Sequence, residues 1–314
     1  MGTKVGLLFD YGSKIGWGHR RRMEALAGYM IKYGIAHTFY PNFFCRFIEV
    51  GEIERGVLQE DIYILDLSAE LYIRHFLNKL LFLIEYLKQN GKKIVIFDGL
   101  FKSDCIHKNV CTDSDLVIIP YFLAKQEEFF FSNRDINLLG EEFFVYNQFV
   151  LTLKSKMVQK DDFILISFGG RKEKVSVDLI DNLVSNKFLG RLKFKIVGKS
   201  DSVLDPRYNS DNVEFLPVQG HRYFLLLLKR AKLLITSTGL TKYEALALNT
   251  SVIVLDLKKR FKDYYKKLET ILPLRYCSNI KDLPVLIEDL LSLQLTYEIP
   301  LKGGEKICTI LKEL

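Results

Sequence analysis

An imidazole at the end of a glycine-rich turn is the first arrangement in this sequence that could move a proton. The run Asp10-Tyr11-Gly12-Ser13-Lys14-Ile15-Gly16-Trp17-Gly18-His19 follows an apolar stretch and precedes Met23, Leu26, Ala27 and Met30, which repeat at helical spacing. Gly12, Gly16 and Gly18 let main chain approach a ligand closely. His19 then opens the following helix, whose positive end disfavours imidazolium and keeps the ring available as a base near neutral pH. Asp10 either favours the charged ring or orients it. The turn lacks the G-x-G-x-x-G fingerprint of dinucleotide sites, and Gly16 and Gly18 are equally compatible with an ordinary turn.

The second half carries two further strand-to-turn junctions. Ile164-Leu165-Ile166-Ser167-Phe168 ends in Gly169-Gly170, with a helix expected from about Ser176. Main-chain N–H groups in such a turn suit an anion, phosphate above all. Leu234-Ile235-Thr236 leads into Ser237-Thr238-Gly239-Leu240-Thr241-Lys242-Tyr243-Glu244. Ser237, Thr238 and Thr241 can donate to phosphate oxygens, and Glu244 can accept from ribose hydroxyls. Ordinary helix capping competes for Ser237 and Thr238, and a solvated face or a capping box with Thr241 competes for Glu244.

Short β-rich runs alternate with helical patterns, as βα units around parallel sheets require. Strands are predicted at Val5–Phe9, His37–Tyr40, Ile62–Asp66, Ile94–Phe97 and Leu116–Ile119. A second set falls at Phe163–Phe168, Phe194–Val197, Val213–Phe215, Leu233–Thr236 and Val252–Leu255. A polar, Lys-rich linker near 151–161 divides the chain into domains 1–155 and 156–314, each an open α/β unit. The chain has 314 residues, 48% hydrophobic and 26% charged, which is ample for two cores. Its apolar stretches fall below the ~20 residues of a bilayer span. Met1 to Asp10 has no secretory-signal pattern, so a cytoplasmic protein is expected. Five scattered cysteines without CxxC spacing argue against a disulfide framework or a zinc site. The net charge of +7 suits anionic ligands, but the lysines form no stripe for nucleic acid. Asp113-Ser114-Asp115 has the letters of a metal motif but reads as a turn, so neither metal nor cofactor is expected. His37, His75 and His107 read as surface or strand-end residues, and His221 as a capping or solvated one.

These residues together resemble the nucleotide-sugar hydrolase family of bacterial pseudaminic-acid synthesis, with its spore-coat polysaccharide relatives and the more distant MurG-type glycosyltransferases. The resemblance is carried by Asp10 with Ile15 to His19 and Arg22, by Ile166 to Gly170, and by Ile235 to Gly239 followed by Glu244-Ala245-Leu246. Asp66 and Asp98 are weaker echoes. It implies a GT-B-like α/β architecture of two Rossmann-like doubly wound domains facing a cleft. In that architecture UDP is held mainly by the C-terminal domain, with Gly16, Gly18, Arg22, Gly169, Gly170, Ser237, Thr238, Gly239, Thr241 and Glu244 as binding residues. It further implies a UDP-sugar substrate, with His19 as the general base that activates water, beside Asp10. Two departures bear on the reaction. Where the family carries an Asn-Gln pair, this chain has Asp256 to Lys262, and Arg171-Lys172 follow the glycine pair; both basic segments are open to diphosphate or to solvent. Transfer of the sugar to an acceptor hydroxyl is the alternative, and a non-catalytic nucleotide-sugar-binding protein is a further one.

Overall fold

In the computed structural model of the protein the described residues are 2–12, 17–43, 58–66, 77–97, 113–126, 137–168, 179, 183, 191–198, 212–218, 220–293 and 297–314. The chain forms two compact units, Met1–Gln148 with Pro300–Leu314, and Phe149–Ile299.

The first unit is built on β1 (Lys4–Phe9), α1 (Gly18–Lys32), β2 (Ala36–Pro41), β3 (Ile62–Asp66), α2 (Leu77–Gln89), β4 (Lys93–Phe97), β5 (Leu116–Ile119) and β6 (Asn137–Leu139). Its six strands are all parallel in the order β2-β1-β3-β4-β5-β6. β3 and β5 are continuously buried, as a sheet covered on both faces demands, whereas the edge strand β2 has no fully buried residue. Met23, Leu26, Ala27 and Met30 form the buried stripe of α1.

The second unit follows with α3 (Gln148–Lys154), β7 (Ile164–Ser167), β8 (Phe194–Val197), β9 (Val213–Leu216), α4 (His221–Arg230), β10 (Leu233–Thr236), α5 (Thr241–Ala247), β11 (Ser251–Leu255), α6 (Lys262–Leu268), β12 (Leu274–Cys277) and α7 (Leu283–Ser292). Its parallel sheet runs β12-β11-β10-β7-β8-β9. Every predicted strand is present. β6 and β12 escape prediction because one is three residues long and the other is interrupted by Arg275.

The last helix, α8 (Gly303–Glu313), belongs to the first unit, although the sequence places residues 300–314 in the C-terminal half. It packs on α1 at a distance only glycine allows: a Cβ on Gly304 would overlap the Tyr29 ring, and one on Gly303 the Phe144 backbone. In both sheets the strand order reverses beside the first strand, between β1 and β3 and between β7 and β10. Ligands of open α/β sheets bind outside the carboxyl ends of the strands at such points.

Candidate functional site

Parallel pairing sets Phe9 beside Asp66, so β1 and β3 end together at the first switch point. Asp66 is completely buried. Its Oδ1 lies 2.8 Å from Nδ1 of His19. Arg22, one helical turn further along α1, donates from Nε to Oδ2 at 2.8 Å and from Nη2 to Oδ1 at 2.5 Å. The remaining edge of its guanidinium donates to the Tyr121 hydroxyl at 2.9 Å, and the group lies 5.2 Å from the Phe97 ring centre. Burial alone would push the Asp66 carboxyl up, but the charges and hydrogen bonds of Arg22 and His19 outweigh it and hold the group below its ordinary value. An ionised carboxylate can only accept, so Nδ1 of His19 carries a proton, and the tautomer this selects has its lone pair at Nε2. A half-buried histidine of this kind can take a proton from a bound hydroxyl and share the resulting charge with the carboxylate behind it.

Asp66 and Tyr121 thus join the residues named from sequence at this end of the sheet. The carboxylate at Nδ1 is Asp66, 47 residues from His19, and Asp10 is a second buried carboxylate just past β1. Arg22, expected at the ligand, donates to Asp66 and to Tyr121. Asp66 had a sequence signal, an acid closing an apolar strand; Tyr121, two residues past β5, had none.

Gly18 starts α1 and Gly16 lies outside the described residues. Trp17, exposed at 40%, leans on Tyr11 with ring centres 5.1 Å apart, and the Arg20 guanidinium sits 4.7 Å from the Tyr11 centre. The first turn of α1 contains no acid and three arginines, the wrong signs for the helix dipole. Glu24 and Asp66 neutralise Arg20 and Arg22, while Arg21 has no partner among the described residues.

At the second switch point the polar side chains grip main chain. Thr236 donates to Ser167 O at 2.6 Å and Ser237 to Phe168 O at 3.4 Å, tying the end of β10 to that of β7. Lys242 is buried and donates to Thr238 O and Gly239 O, each at 2.7 Å. Its ammonium lies 4.2 Å from the Tyr243 ring centre and 5.5 Å from that of Tyr265, whose hydroxyl also donates to Thr238 O at 3.2 Å. Desolvation pushes Lys242 down to about 7. In a trans peptide the C=O and the next N–H point in opposite directions, so drawing both carbonyls to Lys242 turns the Gly239 and Leu240 N–H groups away from it.

Glu244 is buried, and its Oε1 accepts from Nε2 of His221, the first residue of α4, at 2.8 Å. Its Oε2 has no partner among the described residues. The N-cap position of α5 is Leu240, which makes no side-chain cap. Gly169, Gly170, Arg171 and Lys172 lie outside the described residues. The 256–262 segment is a turn held by its own acid, with Asp256 Oδ2 accepting from Phe261 N at 3.0 Å and Lys258 and Lys259 exposed. Asp113 and Asp115 pair with Lys88 and Lys93, both at 3.1 Å, as turn residues would. Cys277 and Cys308 are buried thiols that burial pushes up to about 11 and about 12. His37 meets Phe39 edge-on, while His75, His107 and Asp98 lie outside the described residues.

No protein-family model matches the chain. An uncharacterized protein of Methanocaldococcus jannaschii is 25% identical over 298 residues, an alignment covering 84% of this chain and 59% of that protein. The chain thus spans about three fifths of the curated relative it matches. The UDP-GlcNAc 2-epimerase of the same organism, solved with UDP-GlcNAc and UDP, superposes with a TM-score of 0.64 at 12% identity, covering 99% of this chain and 100% of the other. The Neisseria meningitidis UDP-GlcNAc 2-epimerase bound to UDP-GlcNAc gives 0.64 at 11% identity, with 99% and 100% covered. A spinosyn rhamnosyltransferase complexed with spinosyn aglycone gives 0.57 at 10%, covering 99% and 95%. Two parallel six-stranded sheets with flanking helices therefore make up a GT-B fold, shared with enzymes that act on sugar nucleotides or transfer sugars.

Proposed function

We propose that this chain is an enzyme of UDP-sugars that breaks the bond between the anomeric carbon and the phosphate oxygen, with His19 as general base. The observation that supports the reading is the His19–Asp66 contact at a switch point, in which the carboxylate accepts from Nδ1 and leaves Nε2 for a bound hydroxyl. Water bound at Nε2 gives up its proton to the ring as its oxygen attacks the anomeric carbon. The C–O bond breaks and its electron pair leaves on the diphosphate of UDP. The turn of residues 237–239 supports the other role: its outward N–H groups and the Ser237 and Thr238 hydroxyls suit phosphate oxygens, and Glu244 Oε2 suits a ribose hydroxyl. UDP is already a good leaving group, and these donors would stabilise the charge that develops on it.

The same chemistry with a sugar or aglycone hydroxyl in place of water makes the protein a glycosyltransferase. Trp17 and Tyr11, aromatic and close to His19 in sequence, favour that second reading because a flat apolar acceptor could stack there. Incubating the purified chain with a panel of UDP-sugars, with and without acceptors, separates the two. UDP released without acceptor identifies hydrolysis, and release that requires one identifies transfer. Recovery of the intact nucleotide with an altered sugar configuration would overturn both.

A further inference from the structure

The opposite end of the second sheet gathers three lysines around one turn. Lys154 is the last residue of α3, Lys160 precedes β7 and Lys229 lies in the last turn of α4. The turn between α5 and β11 joins them. Lys154 donates to the Asn249 side chain, and Lys160 donates to Thr250 Oγ1 at 2.5 Å. Thr250 is fully buried and its hydroxyl donates a hydrogen bond to the carbonyl oxygen of Leu228, the residue before Lys229, at 2.6 Å. These groups sit at the amino ends of β7, β10 and β11, whereas Ser237 and Glu244 follow the carboxyl end of β10.

Among the described residues none of the three lysines makes an ion pair with a carboxylate. Lys229 is 6% exposed as a residue, and its ammonium, which makes no hydrogen bond or ion pair among the described residues, reaches solvent. Asp161, next to Lys160, is engaged by Arg230 at 2.7 Å, and Asp162 by Lys232 at 2.6 Å. Glu298, which is exposed, acts on Lys154 alone and does not offset its losses. The carbonyl ends of α3 and α4 favour cations nearby, but a helix end calls for one cation, not for three sharing a site. Desolvation and the charges of Lys229 and Lys154 push Lys160 down to about 7. Such a cluster carries mutual repulsion and desolvation that an incoming anion would relieve.

We propose that Lys154, Lys160 and Lys229 form an anion site for a phosphoryl-type dianion, held apart from the groups proposed to bind nucleotide. Lys154 and Lys160, held on the adjacent residues Asn249 and Thr250, each keep N–H bonds undonated, and charge-assisted bonds from ammonium to phosphoryl oxygens are the strong kind.

The test is calorimetric titration of the full chain, saturated with UDP, with inorganic phosphate at pH 7 against sodium chloride of equal ionic strength. Lys160→Met, Lys229→Met and Ser237→Ala are titrated in parallel. Phosphate is expected to bind the wild-type chain with net proton uptake, read from two buffers of different ionisation heat, and to raise its Tm beyond the chloride control. Each lysine variant is expected to weaken phosphate at least about tenfold, the scale of one charge-assisted contact, while Ser237→Ala binds as wild type. Without phosphate, Lys160→Met is expected to melt no lower than wild type, since it removes a repelled cation. Equal responses to phosphate and chloride, binding that survives in both lysine variants, loss in Ser237→Ala alone, or a clear fall in the Tm of Lys160→Met would each overturn the site.

Discussion

The two switch points use polar side chains in opposite ways. In the first unit, Arg22 and Tyr121 place a buried carboxylate and the carboxylate places an imidazole, so every contact converges on one side-chain nitrogen. In the second, Thr236, Ser237, Lys242 and Tyr265 all donate to carbonyls, so the contacts shape a length of backbone. The first suits proton transfer, which needs a single lone pair at a fixed angle. The second suits a grip on phosphate, which several N–H groups can share. The difference teaches that one doubly wound architecture can position side-chain chemistry or main-chain recognition, according to whether the acid or the lysine is buried.

The largest effect is expected where one change strikes both stability and chemistry. Asp66→Asn leaves Arg22 buried without its counter-charge, at a cost of about 3–5 kcal/mol in the unfolding of the first unit. It also frees the wrong tautomer of His19, with a fall in turnover on the order of 10³-fold or more. Denaturant melts and steady-state rates check both, and a stable, active variant would dissolve the contrast between the units. His19→Asn is expected to cost about 100-fold or more in turnover while UDP affinity barely changes. Near-normal turnover would remove His19 as the base.

Lys242→Met sharpens the other side. Losing the ammonium that holds two carbonyls should weaken UDP about tenfold, roughly 1.4 kcal/mol, with little change in the rate of bound substrate; equilibrium titration against single-turnover rates separates these. A rate loss with unchanged affinity would mean that the turn serves chemistry instead.

Stability should respond to pH in different windows. Asp66 is held low in the folded chain, so its contribution is complete above the ordinary carboxyl range and is lost as pH falls through its folded value. Lys160 and Lys242 are held at about 7 against an ordinary 10.5. Between those values the unfolded chain binds more protons, so the second unit gains stability as pH rises from about 7 toward 10.5. Thermal melts with unit-specific probes read this, and parallel losses in both units at acid pH alone would contradict it. Ser237→Ala should matter least, under about 1 kcal/mol, because its 3.4 Å contact is long for a hydroxyl donor.

Part of this was legible along the chain. The strands were readable because parallel strands buried on both faces are apolar throughout, and the turns because glycine and hydroxyl residues follow them directly. His19, Ser237 and Glu244 stand beside their own strands and helices, so their places follow from local order. Their partners do not. Glu244 reads locally as a solvated or capping residue, and only the packing of α4 against α5 brings His221 to it. Lys242, between Thr241 and Tyr243, reads as one more surface lysine until the helix is seen to bury it.

Sequence by itself determined the order of βα units, the ends of most strands and the residue types at both turns, since these depend on periodicity and on neighbours a few positions away. Tertiary structure alone decided which acid meets His19, where the Arg22 guanidinium goes, that the last helix returns to the first unit, and that three lysines share a turn. The reason is that a parallel sheet sets side by side strands that are far apart in the chain. Asp66 reaches His19 because β3 pairs with β1, 47 residues away, and Tyr121 reaches Arg22 across 99. No local pattern encodes such pairings.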